Sequence, residues 1–152
     1  MKIRPMLPTD IVAVIAIDTA AGILLPWTPN QYARELLKRE TTFCWVAEVD
    51  ERLAGSLTFW NVAGEGEIAN LAVHPDFWRQ GIGRALMKTA LAKAVELGFP
   101  CVLLEVRACN QPAQQLYRSF SFAEDGRRVR YYSNGEAAVL MSLKIGKEEN
   151  YV

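Results

Sequence analysis

The 152-residue chain has one histidine, three cysteines, no excess of either charge and no long apolar run. Each shortage closes a class of function. His74 alone cannot build a multi-histidine metal site, and Cys44, Cys101 and Cys109 show no pair at metal-ligand spacing, so no metal is expected. An odd number of thiols suits a reduced, cytoplasmic protein better than a disulfide framework. Lys plus Arg number 17 and Asp plus Glu number 17, so the formal net charge is +0. Broad electrostatic binding to nucleic acid or to an acidic membrane is therefore not expected. The most apolar early stretch, residues 11–17, is far too short to span a bilayer and stops at Asp18. Residues 1–8 lack the charged-then-apolar pattern of a secretory signal.

What remains is a chain that is 51% hydrophobic and 22% charged, enough apolar material for one sizeable core. The expectation is one domain over residues 1–146, with a frayed tail at 147–152. Residues 2–6 read as a strand. Thr9 is a candidate N-cap for a first helix, in which Ile11, Val14, Ile15 and Asp18 recur at helical spacing. Thr28-Pro29 opens a second helix with Tyr32, Leu36 and Leu37 as its apolar face. Residues 41–50, 53–62 and 67–73 read as three consecutive antiparallel strands, with turns at 50–52 and 63–66.

The pattern then changes. Residues 82–97 are helical, with Ile82, Leu86, Ala90 and Ala94 on one stripe and Gly98 as C-cap. Residues 99–106 form an apolar run suited to a buried strand, which the crossover helix should make parallel to the strand before it. Asn110 caps a short helix. Residues 122–132 and 137–145 read as a closing hairpin around Ser133-Asn134-Gly135. The expected fold is mixed α/β: a mostly antiparallel sheet of about seven strands, with one splayed parallel pair and about four flanking helices.

The chemistry gathers where strand 67–73 ends in Asn70-Leu71-Ala72-Val73 and Arg79-Gln80-Gly81-Ile82-Gly83-Arg84 leads into the next helix. Glycines before a helix let backbone N–H groups approach a ligand, and the helix N-terminus adds roughly half a positive charge. Together these make an anion site suited to phosphate. It is not a P-loop, because no Gly-Lys-Ser/Thr follows, and not a dinucleotide fingerprint, because the third glycine would fall at Leu86.

Beside it lie Leu104-Glu105-Val106-Arg107 and Asn110, then Leu116-Tyr117 and Arg130-Tyr131-Tyr132. With this set, and with Pro26-Trp27-Thr28, the chain resembles the GNAT acyl-CoA-dependent N-acetyltransferases. Within them it looks most like the bacterial ribosomal-protein-alanine (RimI-like) branch. The resemblance runs over residues 2–145 and is strongest over 69–132. It implies the GNAT fold, with acetyl-CoA as cosubstrate and a protein or peptide N-terminus, such as that of a ribosomal protein, as acceptor. Backbone amides of Arg79, Gln80, Gly81, Ile82, Gly83 and Arg84 would cradle the coenzyme A pyrophosphate. The edge at Leu71, Ala72 and Val73 would pair with the pantetheine arm, and Asn110 would bond the arm from across the cleft. Glu105 matches the general base and Tyr117 the general acid. Trp27, Tyr32, Asn70, Tyr131 and Tyr132 would line the acceptor groove. The family usually carries Gln or Arg where Trp78 stands.

Plainer readings stand beside these. Glu105 alone would be a strand-end surface carboxylate, Tyr117 a core aromatic, and Arg127, Arg128 and Arg130 a solvated face. His74, before Pro75 in a turn, reads as structural, and no base is placed to activate a cysteine. A small-molecule amine acceptor and a non-catalytic acyl-CoA-binding regulator are the alternatives. The oligomeric state stays open between monomer and dimer.

Overall fold

The computed structural model describes residues 1–146; the expected tail at 147–152 lies outside the described residues. Seven strands build one sheet: β1 (Lys2–Pro5), β2 (Thr42–Val49), β3 (Arg52–Val62), β4 (Glu65–Val73), β5 (Cys101–Arg107), β6 (Ala123–Arg128) and β7 (Ala138–Lys144). The helices are α1 (Ile11–Ala20), α2 (Pro29–Leu37), α3 (Ile82–Glu96) and α4 (Gln111–Ser119). The strand order is β1-β2-β3-β4-β5-β7-β6. Every neighbouring pair is antiparallel except β4 and β5. This is the mixed α/β sheet expected from the sequence.

Tight turns set the first half of the sheet. Asp50 and Glu51 both take positive φ (49° and 65°), as do Ala63 and Gly64 (52° and 86°). Two such residues in succession match the right-handed twist of the flanking strands. Both turns are shorter than their sequence pattern, so Arg52 already belongs to β3, and Glu65 and Gly66 to β4.

The sheet buries both faces. On one, α3 lays Ile82, Leu86, Ala90 and Ala94 against Leu57, Phe59, Val102 and Leu104. On the other, Val14 of α1 and Tyr32 of α2 cover Cys44 and Val46. Thr28 caps α2: its hydroxyl accepts the Gln31 N–H at 3.2 Å, and Gln31 Oε1 accepts the Thr28 N–H at 2.7 Å.

Three expectations fail at element ends. Thr9 is not a cap. Residues 8–10 form a 3₁₀ turn, and the Asp10 carboxylate accepts the Leu7 N–H at 2.7 Å, drawn there by Arg4 at 2.7 Å. Leu37 is 79% exposed: one residue past Leu36 on a helix is about 100° off the buried stripe. The closing hairpin is also shorter than expected. β6 stops at Arg128 and β7 starts at Ala138, so Tyr131 and Tyr132 stand on a loop and not on opposite faces of a strand.

Candidate active site

Two irregularities open a cleft in the sheet. The parallel pairing of β4 with β5 lasts only three residues, Gly66↔Val102, Glu67↔Leu103 and Ile68↔Leu104, after which the strands part. In β4, Ile68 lies opposite Phe59 and Asn70 opposite Thr58, so Ala69 is an extra, bulged residue. The bulge reverses the alternation. Glu67, opposite Trp60, and Asn70, opposite Thr58, therefore share one face, the face that carries α1 and α2. On β5, Val102, Leu104 and Val106 enter the α3-side core, which leaves Glu105 and Arg107 on the cleft face.

The parted edge of β4 carries free main-chain groups. The His74 N–H donates to the Ala54 carbonyl at 2.8 Å. Antiparallel pairing alternates, so the N–H and C=O groups of Leu71 and Val73 face away from β3, into the gap. Ala72 faces β3 instead. Trp78, at the position where Gln or Arg was expected, donates its indole N–H to the Val73 carbonyl at 2.7 Å and remains 56% exposed. It covers one acceptor at the end of the edge.

Beyond that edge, Arg79 (φ 62°) and Gly81 (φ 78°) turn the chain into α3. The first N–H groups of α3 have no partner inside the helix. The two glycines have different tasks. Gly81 takes the left-handed conformation with nothing within 4 Å of an added Cβ. At Gly83 a Cβ would come within 3.3 Å of Leu116 Cδ2, so this glycine lets α4 approach. Arg84 binds α3 to the end of α4, with its guanidinium 2.8 Å from Ser119 Oγ and 5.0 Å above the Phe120 ring.

The cleft encloses about 660 Å³ between residues 21–25, Trp27 and Trp60 on one side and Tyr131, Tyr132 and Ser133 on the other. Its floor holds Glu67, Asn70, Leu71, Glu105, Arg107, Asn110 and Tyr117. Glu105 Oε1 lies 3.7 Å from Arg128, so that arginine is more than a solvated charge. The Tyr131 hydroxyl faces the Glu105 carboxylate, which pushes the phenol up, and Arg128 stacks 5.4 Å from its ring centre. Burial, and then repulsion by Glu105, raises Glu67. Tyr117 is raised well above its ordinary 10.0 by burial, and its hydroxyl has no hydrogen-bond partner among the described residues. Asn110 Oδ1 accepts the Ala113 N–H at 3.2 Å and caps α4; its amide N–H groups remain free to donate.

The expected acceptor-groove residues divide. Trp27 stacks on Trp60 at 5.8 Å and, with Tyr131 and Tyr132, walls the cleft. Tyr32 does not line it: the ring is fully buried behind Trp27, 5.1 Å away, and its hydroxyl bonds to Asp18. His74 accepts the Asp76 N–H at 3.1 Å as a turn residue. All three thiols are pushed up, Cys44 and Cys101 chiefly by burial (Cys101 to about 11) and Cys109 by its hydrogen bond to Glu136. A nucleophilic cysteine needs the opposite shift. No group of three or more metal-binding side chains occurs among the described residues.

Sequence reading missed Trp60, Glu67 and Asp18. Counting outward from the Ala63-Gly64 turn sets Trp60 near Glu67, so that pair carried a signal. Asp18 interrupting an apolar helix carried another.

The model of the acetyltransferase (GNAT) family matches residues 16–122. The chain belongs to that family. It is 35% identical over 146 residues to the putative ribosomal protein bS18-alanine N-acetyltransferase of Bacillus subtilis, covering 95% of this chain and 96% of that protein. It is 33% identical over 140 residues to the ribosomal protein bS18-alanine N-acetyltransferase of Escherichia coli K12, covering 90% and 93%. The crystal structure of the Escherichia coli ribosomal-protein-S18-alanine N-acetyltransferase superposes with a TM-score of 0.84 at 30% identity, over 97% of each chain. As a GNAT enzyme the chain is an acetyl-CoA-dependent N-acetyltransferase, and the open β4 edge and the α3 N-terminus fit an extended amide-bearing arm ending in phosphates.

Proposed function

We propose that this GNAT enzyme acetylates the N-terminal α-amine of a protein, with an Ala- or Ser-starting ribosomal protein as the favoured acceptor. The reading treats residues 1–146 as one catalytic domain, acting as monomer or dimer in the cytoplasm without a metal. The observation that carries it is the meeting of Glu105, Tyr117 and the open β4 edge in one aromatic-walled cleft.

The amine sets the demand on the base. An α-amine with pKa about 7.7–8 lies roughly 1 kcal/mol from its neutral form at pH 7, whereas a Lys amine near 10.4 lies about 4.6 kcal/mol away. A single carboxylate, acting directly or through water, meets the smaller demand. Glu105 takes that proton, and Arg128 and Tyr131 keep its carboxylate pointed into the cleft. The neutral amine then attacks the thioester carbonyl, Leu71 and Val73 N–H groups stabilise the charge that develops on its oxygen, and collapse breaks the C–S bond while the surplus proton on nitrogen passes to water. The arm of acetyl-CoA pairs along Leu71–Val73, Asn110 bonds it from the α4 side, and its phosphates meet the backbone of residues 79–84.

Tyr117 serves the leaving group. A coenzyme A thiol resembles a Cys thiol, near pKa 8.5. A phenol held above 10 keeps its proton beside that thiolate, so Tyr117 stabilises it chiefly by donating a hydrogen bond.

The test is an acetyl-CoA assay on a panel of N-terminal peptides, each also supplied with its α-amine blocked or its lysines blocked, and with free amines as controls. Turnover that survives the lysine block and disappears with the α-amine block is expected. Turnover of free amines alone would replace the acceptor class, and coenzyme A binding with no turnover of any amine would remove the enzymatic reading.

A further inference from the structure

Asp18, on the last turns of α1, is fully buried and has no cationic partner among the described residues. A buried carboxylate without a cation needs neutral donors on both oxygens. It has them. The Tyr32 hydroxyl donates to Oδ2, and Asn70 Nδ2 donates to Oδ1 at 3.2 Å. Asn70 Nδ2 also donates to the Tyr32 hydroxyl oxygen at 3.1 Å.

The orientation of the Asn70 amide follows from this count. Ionised Asp18 only accepts, and the Tyr32 hydroxyl has spent its single hydrogen on Asp18, so it too can only accept. Asn70 must therefore turn its NH₂ to the pair, and both amide hydrogens are used. Only its carbonyl oxygen is left. That oxygen has no partner among the described residues, while Asn70 lines the cleft beside Leu71, the edge that takes the thioester. Asn70 reaches this face at all because of the bulge at Ala69.

We propose that Asp18 and Tyr32 are positioning residues that lock the Asn70 amide with Oδ1 toward the cleft, where it accepts an N–H from the first residue of the acceptor peptide. The inference rests on the reading of the acceptor as a protein N-terminus. It adds a polarity filter: at this point the cleft reads donors, and an acceptor group would meet an oxygen with no hydrogen to offer. It also ties the α1–α2 unit, whose connecting loop carries Trp27, to the strand that holds the thioester.

The experiment measures kcat and the separate KM values for an Ala-starting peptide and for acetyl-CoA in wild type, Asn70→Ala, Asp18→Asn and the double variant, with melting curves alongside. Asn70→Ala should lower kcat/KM for the peptide about tenfold, the effect of one lost hydrogen bond, with the acetyl-CoA KM unchanged. Asp18→Asn should lower it similarly, because the new amide can donate to Asn70 Oδ1 and turn the Asn70 NH₂ into the cleft. In the double variant the two losses should not multiply. Tyr32→Phe replaces Asp18→Asn in the cycle should that variant not fold. An Asn70→Ala enzyme with wild-type peptide kinetics, or losses that multiply, overturns the inference. Wild type that acetylates no N-terminal peptide overturns the functional reading, and this inference with it.

Discussion

In the proposed mechanism Glu105 takes the amine proton while Tyr117 keeps its own and donates a hydrogen bond, and their surroundings differ accordingly. The Glu105 side chain is 28% exposed beside Arg128, open enough to exchange a proton with water. Tyr117 is buried against Phe122, 6.0 Å away, where a phenol holds its proton. Glu105→Gln is expected to lower kcat about 10²-fold and to flatten the acid limb of the pH–rate profile. Tyr117→Phe should also lower kcat yet keep that limb, because the base is intact. Rate profiles of both variants across pH check the assignment, and unchanged kinetics in Glu105→Gln would remove it from the mechanism. Both residues were legible as candidates from the sequence alone. Trp78 was not: its hydrogen bond to the Val73 carbonyl depends on how the chain folds back after Pro75, which no spacing rule states.

At the scale of the elements, the cleft depends on how closely β3, β4 and α3 approach one another. Gly55 is where they meet. A Cβ there would come within 2.9 Å of the Ala72 carbonyl oxygen and 3.1 Å of Ile82 Cγ2. Backbone cannot swing aside as a flexible side chain can. Gly55→Ala is therefore expected to destabilise the fold by about 1–3 kcal/mol, read as a melting point lower by roughly 2–4 °C for each kcal/mol. The same change pushes on the strand whose other edge faces the gap, so the acetyl-CoA KM should rise with it. Most elements were readable because their signals are local. Thr28 and Asn110 cap as read, and the α3 stripe is buried as read. The bulge at Ala69 was not readable. Period-2 alternation places Glu67 and Asn70 on opposite faces, and only pairing against β3 inserts the extra residue that brings them together.

Across the whole molecule, two buried aspartates give stability opposite pH dependences. Arg4, at 2.7 Å, holds the Asp10 carboxyl below its ordinary 3.8 and ties β1 to the start of α1. A depressed carboxylate contributes stability that is present above its unfolded pKa and lost as pH falls through the lower folded value. Burial raises Asp18 instead, so its ionised form costs stability at neutral pH, and that cost eases as pH falls through the raised value. Asp10→Asn should be about 1–2 kcal/mol less stable than wild type above pH about 4, with the difference closing below it. Urea midpoints measured from pH 7 down to pH 3 check this; a difference that persists undiminished in acid would assign the loss to packing. None of the described helices is long and apolar enough to cross a membrane. The sequence by itself determined the order of strands and helices, the caps at Thr28 and Asn110, the glycine turn before α3 and the candidates for moving protons, because each depends on neighbours a few positions away. Only the tertiary structure decided where the sheet parts, which side chains share the cleft face, that Tyr32 stands behind the wall, and how Asp18 turns Asn70. Those depend on strand register and on contacts between residues as many as 52 positions apart, such as Asn70 with Asp18. Local pattern cannot encode them; packing and the need to satisfy each buried polar group select them.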